Sequence, residues 1–508
     1  MPASPLILRS QPGVRRDGTR FDADYYNDVL WCRFQRGLPR KMRGFRSMSS
    51  SILGIPRGMW LNSRGATNYL HIGCNNYLQQ VPFDADGNAS PPFDRTPAGF
   101  ATSNDNLWTF DLLFDPITGL YPTILAHGAP NLSSMASTTN VPLYYGNLTA
   151  NTALTATSAP QTSGGVLVVH PYVFVYGNDG YVAWSAENNP NDWVGAGSGD
   201  AYITDQKIVK GMLARGGNGP MAGLFWSINA LVRASYVGGT AIFQFDTITD
   251  STSILSSQSV VEYDGIYYWI GTDRFLSYNG VVREVPNDFN FNWFFDNLNY
   301  AQRQKVFGFK NTRWGEIWWC FPYGDATECT HAIVLNLREG GIWYDTELPA
   351  PRSSAACAAE FRYPIMGGTT PNDSVLYKLW QHEIGTDWVD GSDTYPIRSY
   401  FETADFSFVG QPQGAQNKMV RVSLIEPDFI QSGPLSVTVT GNANARATIV
   451  EGSESVIPES PATPQETVNY FKEQRRLMRF RFESNVLGGD YEMGKIIAHI
   501  EPSDGTYL

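Results

Sequence analysis

Residues Val260–Val285 read VVEYDGIYYWIGTDRFLSYNGVVREV. β-branched and aromatic residues fill the short runs, and Asp264-Gly265 and Asn279-Gly280 fall between them. Dipeptides of this kind supply the positive φ that a two-residue hairpin turn needs, in the hand that suits twisted strands. The stretch therefore predicts a small antiparallel sheet. The same plan recurs on either side of it. Val166–Tyr176 (VLVVHPYVFVY) runs into the turn Gly177-Asn178-Asp179-Gly180 and the strand-like Tyr181–Trp184. Gly223–Phe245 (GLFWSINALVRASYVGGTAIFQF) places Gly238-Gly239 between two strand-like runs. A further version covers Val306–Phe321 and Ala332–Tyr344, and weaker ones lie at Met59–Val81 and Leu107–Tyr145.

These units share a plan rather than a sequence, and they begin roughly 35–60 residues apart, near the spacing of four-stranded propeller blades. One small sheet cannot bury both faces alone; sheets set side by side can, and they leave only short edges in water. The expected fold is all-β, a β-propeller of about six blades with an N-terminal arm and an additional C-terminal antiparallel β region. A large β-sandwich, or two, is the alternative. The expected divisions are a basic arm over 1–46, a body over 47–396 and the C-terminal region over 397–508. In that last region Met419–Leu424, Leu435–Thr440 and Leu477–Phe482 alternate between apolar and polar residues, as strands with one buried face do. The region reads equally as a closing blade or a small sandwich. Glu451–Glu466, rich in Gly, Ser, Glu and Pro, predicts a long flexible loop. Asp288–Lys305 predicts the one helix, with Phe294, Leu298 and Ala301 at i, i+4, i+7 spacing.

Composition agrees. With 48 glycines, 31 prolines, 13% aromatic and only 17% charged residues, the chain is rich in turns and strands. Its 42% apolar content suffices for a core and excludes wholesale disorder. The net charge of −12 opposes general binding to nucleic acid, but it is unevenly spread. Residues 1–46 carry ten bases against four aspartates, a net of +6 that leaves −18 for the rest. The five cysteines form no C-x-x-C pair, so neither a disulfide framework nor a zinc site is indicated, and synthesis in a reducing compartment fits. Leu6-Ile7-Leu8 is too short for the apolar core of a signal peptide. No uncharged apolar run reaches the roughly 18 residues of a membrane-spanning helix.

Motifs for catalysis, cofactors or metals are wanting, so no enzyme activity and no cofactor are expected. Gly216-Gly217-Asn218-Gly219-Pro220 lacks the lysine of a phosphate-binding loop. Gly195-Ala196-Gly197-Ser198-Gly199 is followed by no helical pattern. His382-Glu383 has no second histidine at i+4, and the six histidines are scattered. Asp84-Ala85-Asp86-Gly87-Asn88 begins like a calcium loop, yet Arg95 stands at the twelfth position, where a glutamate is needed. Trp184–Trp193 (WSAENNPNDW) sets two tryptophans about a turn, an arrangement that locks a loop more often than it binds a sugar. The basic stretch stands apart. Arg15, Arg16, Arg20, Arg33, Arg36, Arg40, Lys41, Arg43 and Arg46, interleaved with Trp31, Phe34 and Phe45, form a candidate interface with a neighbouring subunit or an adaptor, or a contact with DNA phosphates. If the arm is a separate docking device, removing residues 1–46 leaves the rest folded.

The opening stretch GVRRDGTRFDADYYNDVLWCRFQRGLPRKMRGFR (Gly13–Arg46) resembles that of phage tail structural proteins. The phrases YVAWSAENNPNDW, LFWSINALVRASYVGGTAIFQF, YDGIYYWIGTDRFLSYNGVVREV and GEIWWCFP resemble the tail nozzle proteins, or packaged-DNA stabilisation proteins, of short-tailed phages. The resemblance implies a structural virion protein of the tail, assembled in the host cytoplasm as a homohexameric ring below the portal and its adaptor ring. Its partners would be further copies of itself, the adaptor, and tail fibres or a tip protein. Genomic DNA would pass through the lumen without sequence specificity. An acidic lumen would repel phosphates and let the DNA slide. Two rival readings are a propeller-based glycan-degrading enzyme and a tail fibre or receptor-binding protein.

Overall fold

Strand accounts for 57% of the chain and helix for 4%, arranged as many small antiparallel sheets. The computed structural model describes residues 4–19, 24–114, 122–215, 221–373, 375–409, 418–444 and 446–503. Arg20 and the glycine-rich run 216–220 lie outside the described residues.

The stretch 260–285 folds as its pattern dictates. Val261–Tyr263, Ile266–Ile270, Phe275–Tyr278 and Val282–Glu284 pair in sequence order as a four-stranded sheet. Asp264 and Gly265 both take positive φ, 50° and 80°, at its first turn. Alternation then sends side chains to both faces. Tyr267 and Trp269 meet Trp226 of the preceding sheet, each with ring centroids 5.8 Å apart. Tyr268 and Ile270 join the opposite core with Phe294 and Trp319. Neither face is left to water.

Four further sheets of four strands follow the same order, with first strands Pro56–Arg64, Asn106–Leu113, Gly165–Val169 and Ile208–Leu213. A nine-stranded sheet contains two more units fused through the long strand Ile342–Ala358. Its first part pairs with Cys329–Asn336 and completes a unit begun by Phe307–Asn311. Its second part pairs with Phe361–Asp373 and opens a unit continued by Leu376–His382 and closed by Phe45–Leu53. Seven four-stranded units are thus distinguishable among the described residues, where spacing predicts about six. The seventh escapes the spacing because it borrows a strand from each side, one of them from the other end of the chain. The first strands of the first six begin at residues 56, 106, 165, 208, 261 and 307, intervals of 43 to 59.

Each unit shares a buried core with the next. Leu78 and Trp108 join the first to the second, Leu125 and Val173 the second to the third, and Phe174 and Phe225 the third to the fourth. Trp226 and Trp269 continue the series, then Phe275 and Trp319, then Trp318 and Trp380. The seventh core, with Ile52 and Ile365 against Leu61 and Ile72, joins the last unit back to the first.

Residues 399–503 supply most of a two-layer assembly. One sheet runs Asn469–Arg475, Met419–Ser432, Asp490–Ser503, Leu38–Lys41, Cys32–Gln35, with Ser4–Ile7 also on Asp490–Ser503. The other runs Val450–Ile457, Leu435–Asn442, Leu477–Ser484, Ser399–Glu402, Asp28–Leu30. Val422, Ile425 and Ile496 of the first sheet share one apolar core with Val437, Phe480 and Phe482 of the second. Two sheets sharing one core therefore stand where a closing blade was the alternative, and the strands Ser4–Ile7, Asp28–Leu30, Cys32–Gln35 and Leu38–Lys41 of the expected arm belong to them. Three other expectations change in detail. Val450–Ile457 is an edge strand inside the expected flexible loop. Exposed or half-buried along its length until Ile457, it lacks the alternation that marks a half-buried strand. Val166–Tyr176 is itself a hairpin, Gly165–Val169 with Tyr172–Tyr176. The helix spans Phe291–Asn297 and gives way to a 3₁₀ turn at Tyr300–Lys305. Asp17 caps it, accepting the N–H groups of Asn292 and Trp293 at 2.7 and 2.8 Å.

Candidate functional site

The basic stretch is placed by a hairpin, Cys32–Gln35 with Leu38–Lys41, whose turn residues Arg36 and Gly37 have φ of 55° and 73°. The hairpin ends one sheet of the two-layer assembly, and its cations find acids both there and on the last two units. Arg33 is fully buried, with 0% of its side chain exposed. Its Nη1 and Nη2 donate to the two carboxylate oxygens of Glu383 at 2.8 and 2.5 Å, and its Nε stands 3.0 Å from Glu316. Trp314 and Asn311 donate to Glu383 as well, at 2.8 and 3.0 Å. Trp318 and Tyr344 donate to Glu316, at 2.8 and 2.7 Å. Burial pushes the Glu383 carboxyl upward, but Arg33 and these donors outweigh it and hold the group below its ordinary value. For Glu316 burial wins, and its carboxyl is raised.

The other candidate residues follow suit. Arg16 bridges Asp28 and Asp345 at 2.7 and 2.9 Å. Arg40 meets Glu492 at 3.1 Å and Arg43 meets Asp490 at 3.2 Å, while Arg36 reaches Glu492 from an exposed position. Lys41 is buried near Asp387 and Asp490, and burial lowers its ammonium to about 8. Arg46 donates to Gln381 at 2.7 Å, and Arg15 borders a surface hollow with Asp17 and Tyr25. Arg33 and Lys41 are therefore internal; Arg36, with the half-buried Arg40 and Arg43, faces outward.

Two arginines absent from the sequence-based set join this outward cluster. Arg313 lies 4.9 Å from the Trp314 ring centroid, and Arg40 lies 5.1 Å from the same centroid. Arg338 donates to the carbonyls of Arg313 and Thr312 at 2.5 and 3.0 Å. No signal within the stretch 1–46 could have found residues nearly 300 positions further along; only the hairpin's pairing assembles them.

A second feature is a cavity of about 370 Å³ onto which strands of all seven units open, through Trp60, Asp111, Val168, Lys210, Glu262, Phe307 and Ala355. Asp111 accepts the N–H groups of Val168 and Leu112 at 2.7 and 2.8 Å, and burial lifts its carboxyl to about 6. Burial also lowers the Lys210 ammonium, against the pull of Asp111. Glu262 pairs with Lys310 at 2.9 Å and accepts the Gly265 N–H at 2.9 Å. Burial works upward on Glu262, yet these contacts keep its carboxyl below the ordinary value. Both acids are thus engaged by backbone amides or a lysine.

Elsewhere the motif-like stretches are turns. The Asp84 carboxylate accepts backbone N–H groups of Asp86 and Asn88, each at 2.9 Å. Trp184 and Trp193 donate to Gly197 and Pro190 carbonyls of their own unit at 3.0 and 2.9 Å. Among the described residues no group of three or more His, Cys, Asp or Glu could hold a metal ion, and no helix is long and apolar enough to cross a membrane. Compared with known proteins, the chain matches no protein family and no curated protein.

Proposed function

We propose that this chain is a structural subunit of a short-tailed phage's tail, a nozzle protein that assembles as a homohexameric ring. In this reading the seven units are blades of a propeller set round the cavity that their strands line, and the two-layer assembly is a sandwich fixed to its side. The ring would sit below the portal and adaptor, continue the DNA channel, help retain the packaged genome and carry fibres or a tip. Its acidic charge would keep phosphates from adhering to the lumen.

One observation carries the proposal. Ionisable groups act as ties between parts of the fold: the fully buried Arg33 joins the hairpin to Glu316 and Glu383, and Glu262 joins the fifth unit to Lys310 of the sixth. Charges spent in this way favour a rigid scaffold over a site that must change protonation in turnover. The phrases that carry the nozzle resemblance support the same reading, since they fall on consecutive units, the third to the sixth. A native mass measurement of the full chain tests it. Six copies are expected; three would indicate a fibre, and one or two the glycan-degrading alternative.

A further inference from the structure

We propose that opposite edges of the two-layer assembly bind one another between copies of this chain, an acidic end strand of one copy against an arginine cluster of the next. The proposal rests on the ring reading above and adds the surfaces that would build the ring.

The first surface is the flank where both sheets end. Among the described residues Val450–Ile457 terminates one sheet and pairs only with Leu435–Asn442, while Asn469–Arg475 terminates the other. The Asn469 side-chain amide donates to Ser455 and to the Val456 carbonyl at 2.7 and 2.9 Å, so the two ends adjoin. Residues 449–476 hold five glutamates (Glu451, Glu454, Glu459, Glu466, Glu473) against Lys472, Arg475 and Arg476, with Arg446 in the preceding turn, and Arg475 pairs with Glu473 at 3.2 Å. Glu451, Glu454 and Glu459 are exposed, and no ion pair engages them among the described residues. Val450, Val456 and Tyr470 are exposed beside them. An end strand with exposed apolar side chains beside unpaired glutamates offers a surface to a partner, and the glutamates restrict which partner can approach.

The second surface is the opposite end of the first sheet, the edge strand Cys32–Gln35 and its turn. The N–H groups of Arg36 and Gly37 both donate to Glu339 at 2.9 Å, which brings Arg338 and Arg313 alongside Arg36, Arg40 and Arg43. Facing these five arginines are Glu339, Asp490 and Glu492. Arg313 and Arg338 are exposed and have no carboxylate partner among the described residues. Burial and then the neighbouring Arg43 pull Arg40 below its ordinary value, a mark of crowded positive charge.

Two different, complementary patches on opposite edges make a head-to-tail contact, which closes into a ring when the rotation between copies allows. A self-complementary patch would give a two-fold dimer instead.

Charge reversal of either face tests the proposal. Native mass at physiological salt would be compared for the full chain, E451R/E454R, R313E/R338E and the variant carrying all four changes. Circular dichroism and tryptophan fluorescence would check that each is folded. Either single-face variant should lose the oligomer and run as a monomer; the fourfold variant should regain it. Assembly of both single-face variants as in the unaltered chain would overturn the proposal and leave the glutamates as guards against edge pairing. So would a loss of duplex-DNA binding by R313E/R338E with its mass unchanged, which assigns the arginines to phosphates. An unaltered chain that stays monomeric would instead refute the ring reading itself.

Discussion

At the scale of single residues, the informative groups are those whose charge lies where water does not reach. Arg33 balances two buried carboxylates, so replacing it leaves both without a counter-charge. Arg33→Met should cost about 3–5 kcal/mol, the range for breaking a buried pair by removing one partner. Urea unfolding measures this, and a loss under about 1 kcal/mol would show that water reaches the site. Arg33→Lys should recover little, because an ammonium cannot make the two-pronged contact to Glu383. Asp111 gives a pH dependence of opposite sense to that of a salt-bridged carboxylate. Its folded value of about 6 exceeds the ordinary 3.8, so the folded state binds the extra proton between those values. Stability from this group should therefore fall as pH rises from about 4 to about 6, on the order of 3 kcal/mol in all. Denaturation midpoints measured across that range should flatten in Asp111→Asn; an unchanged slope would locate the titration elsewhere. Little of this was legible in the sequence. The basic stretch was conspicuous, but Glu383 lies 350 positions from Arg33, and nothing local marks it as a partner.

At the scale of elements, local chemistry was easier to read than assembly. Asp264-Gly265 and Gly238-Gly239 turn where their conformational freedom predicts, and the helix lies within the expected 288–305. The strand Phe45–Leu53 shows what the sequence withheld. The expected boundary between arm and body, after residue 46, falls inside it, yet it is one strand that pairs with Leu376–His382 and contributes Ile52 to the core between the seventh and first units. Hydrogen exchange should therefore find its amides opening together with those of Leu376–His382, as one cooperative unit. Exchange of Phe45–Leu53 at the rate of the exposed turns would contradict the pairing. The same topology alters the consequence of truncation. Deleting residues 1–46 removes Ser4–Ile7, Asp28–Leu30, Cys32–Gln35 and Leu38–Lys41 from two sheets, and Arg33 with them. The truncated chain should fail to fold, as judged by soluble yield and circular dichroism. A folded, monomeric product would restore the idea of a separable arm.

At the scale of the whole molecule, the repeated plan declared an all-β body, while the joining of the last unit to the first comes from a strand the repeat does not encode. Spacing undercounts the units because the long strand Ile342–Ala358 serves two of them. Overall charge of −12 makes copies repel, so the proposed ring requires local complementarity. Contacts of that kind weaken with salt as the Debye length shrinks from about 8 Å at physiological ionic strength to about 3 Å at 1 M. Sedimentation at rising salt should accordingly show the oligomer giving way to monomer; an assembly indifferent to salt would point to an apolar interface. The most direct test of the structural reading is an electron-microscope image of the purified full chain, averaged down the axis of the particle. The account predicts a six-fold ring around an open lumen wide enough for duplex DNA, and particles without a central opening would contradict it.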